Sequence, residues 1–373
     1  MSAQQQKKPR QIRCTIIGAE VSGILMAYKL KRHLNDYVTF KIFEKSPDLG
    51  GTCYASSDEI QGYLKGVAKH FDLERYISSN TKVVSARWSK EDSTWTVELE
   101  DGSLVTSEIL VNAGGILNHP QIPNIEGLSD FSGPLLHTAS WDYSIDLRGK
   151  RVGVIGAGAS SIQLVPSIQP LVQDMKVFIR TPSWIAPPVA LPDPDATNYT
   201  YSTEEKAIFE ANKEIYLDTR KGFPEQKRTR AMFESRMKQL IPDQDLQKKL
   251  IPPFEAGCRR INPGEGFLTA LQKPNVEPVF DLIERMTRAG IVAGGKEYPA
   301  DVLVAATGFN TTFRPRFPII GRNGVNLQDA WQEHPESYLG LGVAGFPNYL
   351  IFLGPNTPIS NGSLMGSVEA TAD

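Results

Sequence analysis

Two glycine turns carry the most informative chemistry in the chain. Gly156-Ala157-Gly158-Ala159-Ser160-Ser161 follows a β-branched run from Arg151 and opens an apolar helical pattern. In such a strand–turn–helix the first glycine allows the tight turn and the second lets a pyrophosphate lie against the backbone. The helix N-terminus then supplies N–H groups and a positive dipole end. Arg180 and Thr181 fall where the next strand, beginning at Lys176, ends. A cation there, rather than an acid, suits a 2′-phosphate and so favours NADP over NAD. A merely structural turn is the plainer alternative.

The earlier turn, Gly18-Ala19-Glu20-Val21-Ser22-Gly23, keeps its outer glycines but carries Glu20 in the middle. A pyrophosphate normally passes over that position. A carboxylate about 4 Å from each of two phosphate charges would cost about 4 kcal/mol per pair at an effective dielectric near 20. One such repulsion is worth roughly three decades of affinity, unless the side chain swings toward solvent. Glu44, at the end of the Val38–Lys45 strand, has the right place to take a ribose hydroxyl pair. Its plainer reading is a solvated strand-end acid.

The elements that must position these residues repeat. Each turn lies inside a β-strand, helix, β-strand sequence, and parallel strands joined this way belong in a doubly wound sheet. Two such units predict two nucleotide sites in an α/β protein with two dinucleotide-binding, Rossmann-like domains. Between them, Thr81 to Gly115 alternates with period 2. The turn signals Glu91-Asp92-Ser93 and Asp101-Gly102 break it into antiparallel hairpins that close on a buried strand. The stretches after Ile109 and Asp301 look alike, each an apolar strand running into small residues and glycine. Residues of about 203–250 are charged and helix-favouring, an expected helical insertion ended by Pro252-Pro253. The expected division is 1–140 plus 300–373 for the first domain and 141–299 for the second.

At 373 residues, 40% of them apolar, the chain can bury two cores. Its net charge of -2 gives no electrostatic case for nucleic acid or an anionic membrane. The polar start does not read as a secretory signal, and no run approaches the roughly 18 apolar residues of a membrane span. Three scattered cysteines, Cys14, Cys53 and Cys258, make neither a disulfide framework nor a zinc pattern. The expectation is a cytoplasmic protein.

One segment points to a family. Phe131, Gly133, His137, Trp141 and Asp142 fit F-x-G-x-x-x-H-x-x-x-W-[PD], just before the second glycine turn. Alone, His137 would be a hydrogen-bonded linker histidine and Trp141 a core anchor. Together they resemble the fingerprint of type I Baeyer–Villiger monooxygenases, flavoproteins that use FAD, NADPH and O2. In that family the stretch joins the flavin and NADP domains and couples their movement to turnover. The resemblance covers nearly the whole chain. It likens Gly50-Gly51-Thr52 to the glycine pair near the flavin, and Arg180-Thr181 to the NADP phosphate clamp. Ala306-Thr307-Gly308 resembles the strand end that returns to the flavin, and Gly354-Pro355-Asn356 the loop over the flavin ring. By the same match Arg260 is the catalytic cation and Arg259 an NADP contact, although adjacent arginines are otherwise commonly surface charge.

Three features depart from the family. Glu20 is one. After Thr52 the chain passes through Cys53 straight to Tyr54-Ala55-Ser56, where the family continues for tens of residues that include the acid pairing with the catalytic arginine. The sequence stops at Asp373, where the family usually continues. The resemblance implies a monooxygenase that oxidises a lipophilic ketone or related carbonyl, as in fungal secondary metabolism. The alternative is a degenerate relative that retains at most NADP binding and has a non-redox or partner-binding role.

Overall fold

The structure, a computed structural model, describes residues 11–46, 57–186, 203, 223–259, 261–357 and 364–373. It divides into two compact units, residues 1–119 with 310–373 and residues 120–309.

The first unit is built on a parallel sheet. Its strands are β1 (Ile12–Ile17), β2 (Val38–Phe43), β3 (Ile77–Ser78), β7 (Ile109–Asn112) and β19 (Tyr349–Ile351), in the order β19-β7-β1-β2-β3. Helix α1 (Val21–His33) makes the β1–β2 crossover and turns Gly23, Ile24, Ala27 and Leu30 into the core, one face of a 3.6-residue repeat. Lys31, Arg32 and His33 in its last turn oppose the negative end of the helix dipole. Ile16, Ile42 and Val111 from three neighbouring strands are buried against it. The alternating segment forms antiparallel β4 (Val83–Ser89), β5 (Thr94–Leu99) and β6 (Leu104–Ser107), as the period predicted. Trp95 anchors this layer, fully buried, with its indole N–H donated to the Pro347 carbonyl at 2.8 Å. Helix α2 (Ser57–His70) packs Leu64 and Ala68 into the β1 core.

The second unit repeats the parallel plan. Strands β8 (Leu135–His137), β9 (Arg151–Ile155), β10 (Asp174–Phe178), β13 (Val276–Val279) and β17 (Val302–Ala305) lie in the order β13-β10-β9-β17-β8. Helix α3 (Ala159–Ile168) follows β9 and buries Ser161, Ile162, Val165 and Ile168. An antiparallel meander, β14 (Ile283–Met286), β15 (Gly290–Ala293) and β16 (Lys296–Pro299), precedes β17. Within the expected insertion, helices span Phe223–Leu240 and Gln244–Leu250, the latter ending before Pro252. Residues 204–222 of that insertion lie outside the described residues.

The division at 119/120 and 309/310 differs from the expected 140 and 300. The physical reason is strand pairing. β8 bonds to β17, and β17 to β9, so the chain on either side of the second βαβ unit is drawn into its sheet.

Candidate functional site

In both sheets the strand after the glycine turn goes to one side and a later strand to the other. The strand order therefore reverses between β1 and β7, and between β9 and β17. Ligands of open α/β sheets bind at the carboxyl ends of the strands at such a reversal. Both glycine turns open there.

The backbones of the two turns correspond. Gly18 N–H donates to the Phe43 carbonyl at 2.9 Å, and Gly156 N–H to that of Phe178 at 3.0 Å. Glu20 and Gly158 are the N-cap residues, at φ/ψ of -83/-166° and -87/-171°, and each carbonyl takes the first helical N–H at 3.0 Å. Gly18 has φ +99° and Gly156 φ +117°. A Cβ on Gly18 would stand 2.8 Å from the Ala113 carbonyl oxygen, and one on Gly156 2.5 Å from that of Ala306. Both first glycines are thus required by their left-handed backbone and by a neighbouring strand end. A Cβ on Gly23 would lie 1.9 Å from the Gly18 carbonyl oxygen, so this glycine serves helix packing.

The middle positions differ. A Cβ on Gly158 would meet nothing within 4 Å, leaving an open cradle in front of the α3 N-terminus. At the equivalent place the first turn projects the Glu20 side chain. That side chain accepts no cap hydrogen bond. The side chain is exposed to solvent. Desolvation, and then the charge of Glu44, push its carboxyl up to about 7, with Lys45 pulling the other way. Glu44 itself is buried, and its two oxygens accept the N–H of Ala19 at 2.9 Å and of Ser46 at 2.8 Å. Four lone-pair sites on a carboxylate leave capacity for ribose hydroxyls beside those two bonds.

Most of the remaining expected residues that are described lie in the second unit. Ser160 is partly exposed and Ser161 fully buried on the first turn of α3, and the Ser161 hydroxyl has no hydrogen-bond partner. Arg180 is exposed just past β10, with Thr181 half-buried beside it. The Ser183 hydroxyl donates to the Ala157 carbonyl at 2.8 Å, tying the clamp segment to the glycine turn. His137 ends β8 and is buried. Its Nδ1 accepts the Ala139 N–H at 3.0 Å, while its Nε2 and the neighbouring Thr138 hydroxyl lack partners. Desolvation lowers the His137 pKa. The Gly308 backbone pulls the other way without making a bond of good geometry. Phe309 packs edge-on against the imidazole, ring centroids 6.1 Å apart.

Thr307 and Gly308 follow β17 in the second sheet, where the Thr307 hydroxyl donates to the Gln121 carbonyl and the Gly308 carbonyl accepts the Gln121 N–H. Arg259 is exposed and lies over the Phe254 ring at 5.2 Å. Gly50, Gly51, Thr52 and Arg260 lie outside the described residues. Three features were missed in the sequence: Lys45 as a neighbour of Glu20, the unpartnered Thr138 hydroxyl, and the Ser183 tie. Only Lys45 left a signal, its adjacency to Glu44.

These residues can be weighed against a dinucleotide. The second turn fits one: the cradle is empty, the helix end is free, and a buried hydroxyl lacks a partner. The first turn fits the adenosine half through Gly18 and Glu44. It fits a pyrophosphate with Glu20 neutral, and opposes one with Glu20 ionised.

The description "Flavin-binding monooxygenase-like" matches residues 52–191, and "NAD(P)-binding Rossmann-like domain" matches residues 16–75. The chain is 36% identical to the FAD-binding monooxygenase tazF of Aspergillus terreus, over 98% of this chain and 74% of that protein. It is 31% identical to a Baeyer-Villiger monooxygenase of Pseudomonas aeruginosa, over 97% and 76%. The tazF alignment runs over 418 positions, whereas 98% of 373 residues is about 366, so about 50 positions have no counterpart here. Among solved structures, cyclohexanone monooxygenase from Rhodococcus sp. Phi1 bound to NADP+ matches with a TM-score of 0.80 and 27% identity, over 98% of this chain and 83% of that one. OTEMO in complex with FAD and NADP matches with a TM-score of 0.80 and 25% identity, over 98% and 82%. With paired switch-point turns, the histidine–tryptophan segment between them and these similarities in agreement, the chain belongs to the flavin-binding monooxygenase family.

Proposed function

We propose that this protein is an FAD- and NADPH-dependent monooxygenase of the Baeyer–Villiger type, acting with O2 on a lipophilic ketone or related carbonyl in secondary metabolism. The observation that carries this reading is the open cradle at Gly158, in the sheet that also holds His137, in a chain 36% identical to the fungal FAD-binding monooxygenase tazF. Gly156, Gly158, Ser160 and Ser161 would hold the NADP pyrophosphate, Arg180 and Thr181 its 2′-phosphate, and Arg259 a further edge. Gly18, Glu44 and the Gly50–Thr52 segment would hold FAD. The flavin, reduced by NADPH, supplies the activation of O2 for insertion of one oxygen atom beside a carbonyl. The chain's own part is to bind, orient and exclude water. Neutral His137 would offer one Nε2 hydrogen bond from the end of β8, and Arg260 would offer positive charge to a developing anion.

A second reading, a relative that has lost flavin chemistry and keeps NADP binding, is favoured by Glu20 and by the roughly 50 absent positions. Visible absorbance of the purified protein separates the two. A yellow protein, or one that FAD turns yellow, and ketone-dependent NADPH oxidation are expected on the first reading. A colourless protein that FAD cannot reconstitute, but that binds NADP, would establish the second.

A further inference from the structure

We propose that the first unit binds its dinucleotide together with one proton, taken up by Glu20, so that flavin loading is set by pH. The inference rests on the reading of the first turn as the FAD site and concerns how that site is regulated.

The geometry comes from the match between the turns. Glu20 occupies the backbone position at which Gly158 leaves open space, with the same φ/ψ and the same carbonyl bond to the following helix. A pyrophosphate seated at the N-terminus of α1 therefore meets the Glu20 carboxyl group. Among the described residues that group has no hydrogen-bond or ion-pair partner to hold it elsewhere. The elements around it supply two charges. Directly after β2 comes Glu44, which is tied to the turn itself through the Ala19 N–H, and Lys45 follows. Lys45 is engaged with the Asn118 carbonyl at 3.0 Å and makes no ion pair with Glu20. The end of β7, Asn112 to Gly115, is uncharged. The α1 dipole favours an anion here, whereas desolvation and Glu44 push the carboxyl the other way, up to about 7.

An added phosphate charge can only raise that value further. The binding step is then protein carboxylate plus ligand plus H⁺ giving a complex with a neutral carboxylic acid, which can donate its proton as a hydrogen bond to a phosphate oxygen. The sign follows. Below about 7 the acid is neutral with or without ligand, and affinity does not vary with pH. Above it the free protein ionises and the complex does not, so affinity falls by up to about tenfold per pH unit.

The test is FAD titration of the full chain from pH 5.5 to 9, followed by quenching of flavin fluorescence, for the wild type, Glu20→Gln and Glu20→Gly. Calorimetry at pH 8 in two buffers of different ionisation heat counts the protons taken up. The expected result is a wild-type affinity that is flat in acid and declines above neutrality, with close to one proton taken up per FAD. Both variants should bind without pH dependence and at least tenfold more tightly than wild type at pH 9. Wild-type binding that is equally tight across the range would overturn the coupling while leaving the flavin site standing, because Glu20 would then simply turn away. A slope that persists in Glu20→Gln would overturn it as well. Failure of all three proteins to bind FAD at any pH would remove the flavin site and the proposal together.

Discussion

Arg151 and Asp301 are joined at the amino-terminal edge of the second sheet through two groups of the arginine. Its backbone N–H reaches Oδ2 at 2.8 Å and its guanidinium reaches Oδ1 at 2.6 Å. Arg13 and Glu108 make the same pair in the first sheet, at 2.7 and 2.9 Å. In each case the acid stands one residue before the strand that pairs with the glycine-turn strand, so each pair pins the register of the two strands lining the crevice.

These pairs bear on acid stability. The arginines hold both carboxyl groups at about 2, well below their ordinary range. A folded-state pKa that is depressed contributes stability above the unfolded value, near 4, and loses it as pH falls through 2. Asp301→Asn and Glu108→Gln should each lower the thermal midpoint at pH 7. The deficit should shrink steadily below pH 4, and melts at pH 7, 4 and 2.5 would show it. A deficit that stayed constant with pH would mean that the pairs act through shape rather than charge.

The two glycines of the second turn should respond differently to alanine. At Gly156 the new Cβ meets a backbone carbonyl at 2.5 Å with φ +117°, and a strained backbone of this kind costs of order 1–3 kcal/mol before any clash. Gly158→Ala meets nothing and should cost under about 1 kcal/mol. Its NADP affinity should nevertheless fall at least tenfold, because the methyl group enters the cradle. Urea unfolding and NADP titration on both variants test this contrast.

His137 should be neutral at pH 7, with its proton on Nε2, because Nδ1 accepts the Ala139 N–H and burial lowers its pKa. Nitrogen NMR would report the tautomer. In the unfolded chain the ring protonates near its ordinary 6.5, so the neutral fold loses stability as pH falls below that value. His137→Leu leaves the Ala139 N–H unpaired and should cost about 1–3 kcal/mol at pH 8. That cost should be smaller at pH 5.5. Unfolding of both proteins at the two pH values decides the matter.

Arg180→Ala tests the coenzyme assignment. Loss of a charge-assisted bond worth about 1.5–3 kcal/mol should weaken NADP binding by about 10- to 100-fold. NAD binding, which involves no 2′-phosphate, should hold. Equal weakening for both would place Arg180 elsewhere on the ligand.

Much of this molecule is legible from local pattern. Strand periodicity at Val83–Ser107, the glycine turns after β1 and β9, and the likeness of the Ile109 and Asp301 stretches are properties of short windows, because backbone sterics and period-2 or period-3.6 burial act over a few residues. Even the two acid–arginine pairs leave a trace there, in Glu108 and Asp301 preceding their strands. The family fingerprint is likewise a property of twelve consecutive residues, Phe131 to Asp142.

What no window holds is which sheet a strand joins. The expected division at 140 and 300 put Leu135–His137 and Val302–Ala305 with the first domain. Pairing of β17 with β9, and of β8 with β17, placed them, and with them His137, Thr307 and Gly308, in the second sheet. Glu20 shows the same division. Its identity states that an acid stands in a glycine's place, but its protonation depends on how closely β2 brings Glu44 and on how deep the crevice is. Desolvation and Coulomb repulsion are sums over everything nearby in space, and the linear order of residues does not contain those distances.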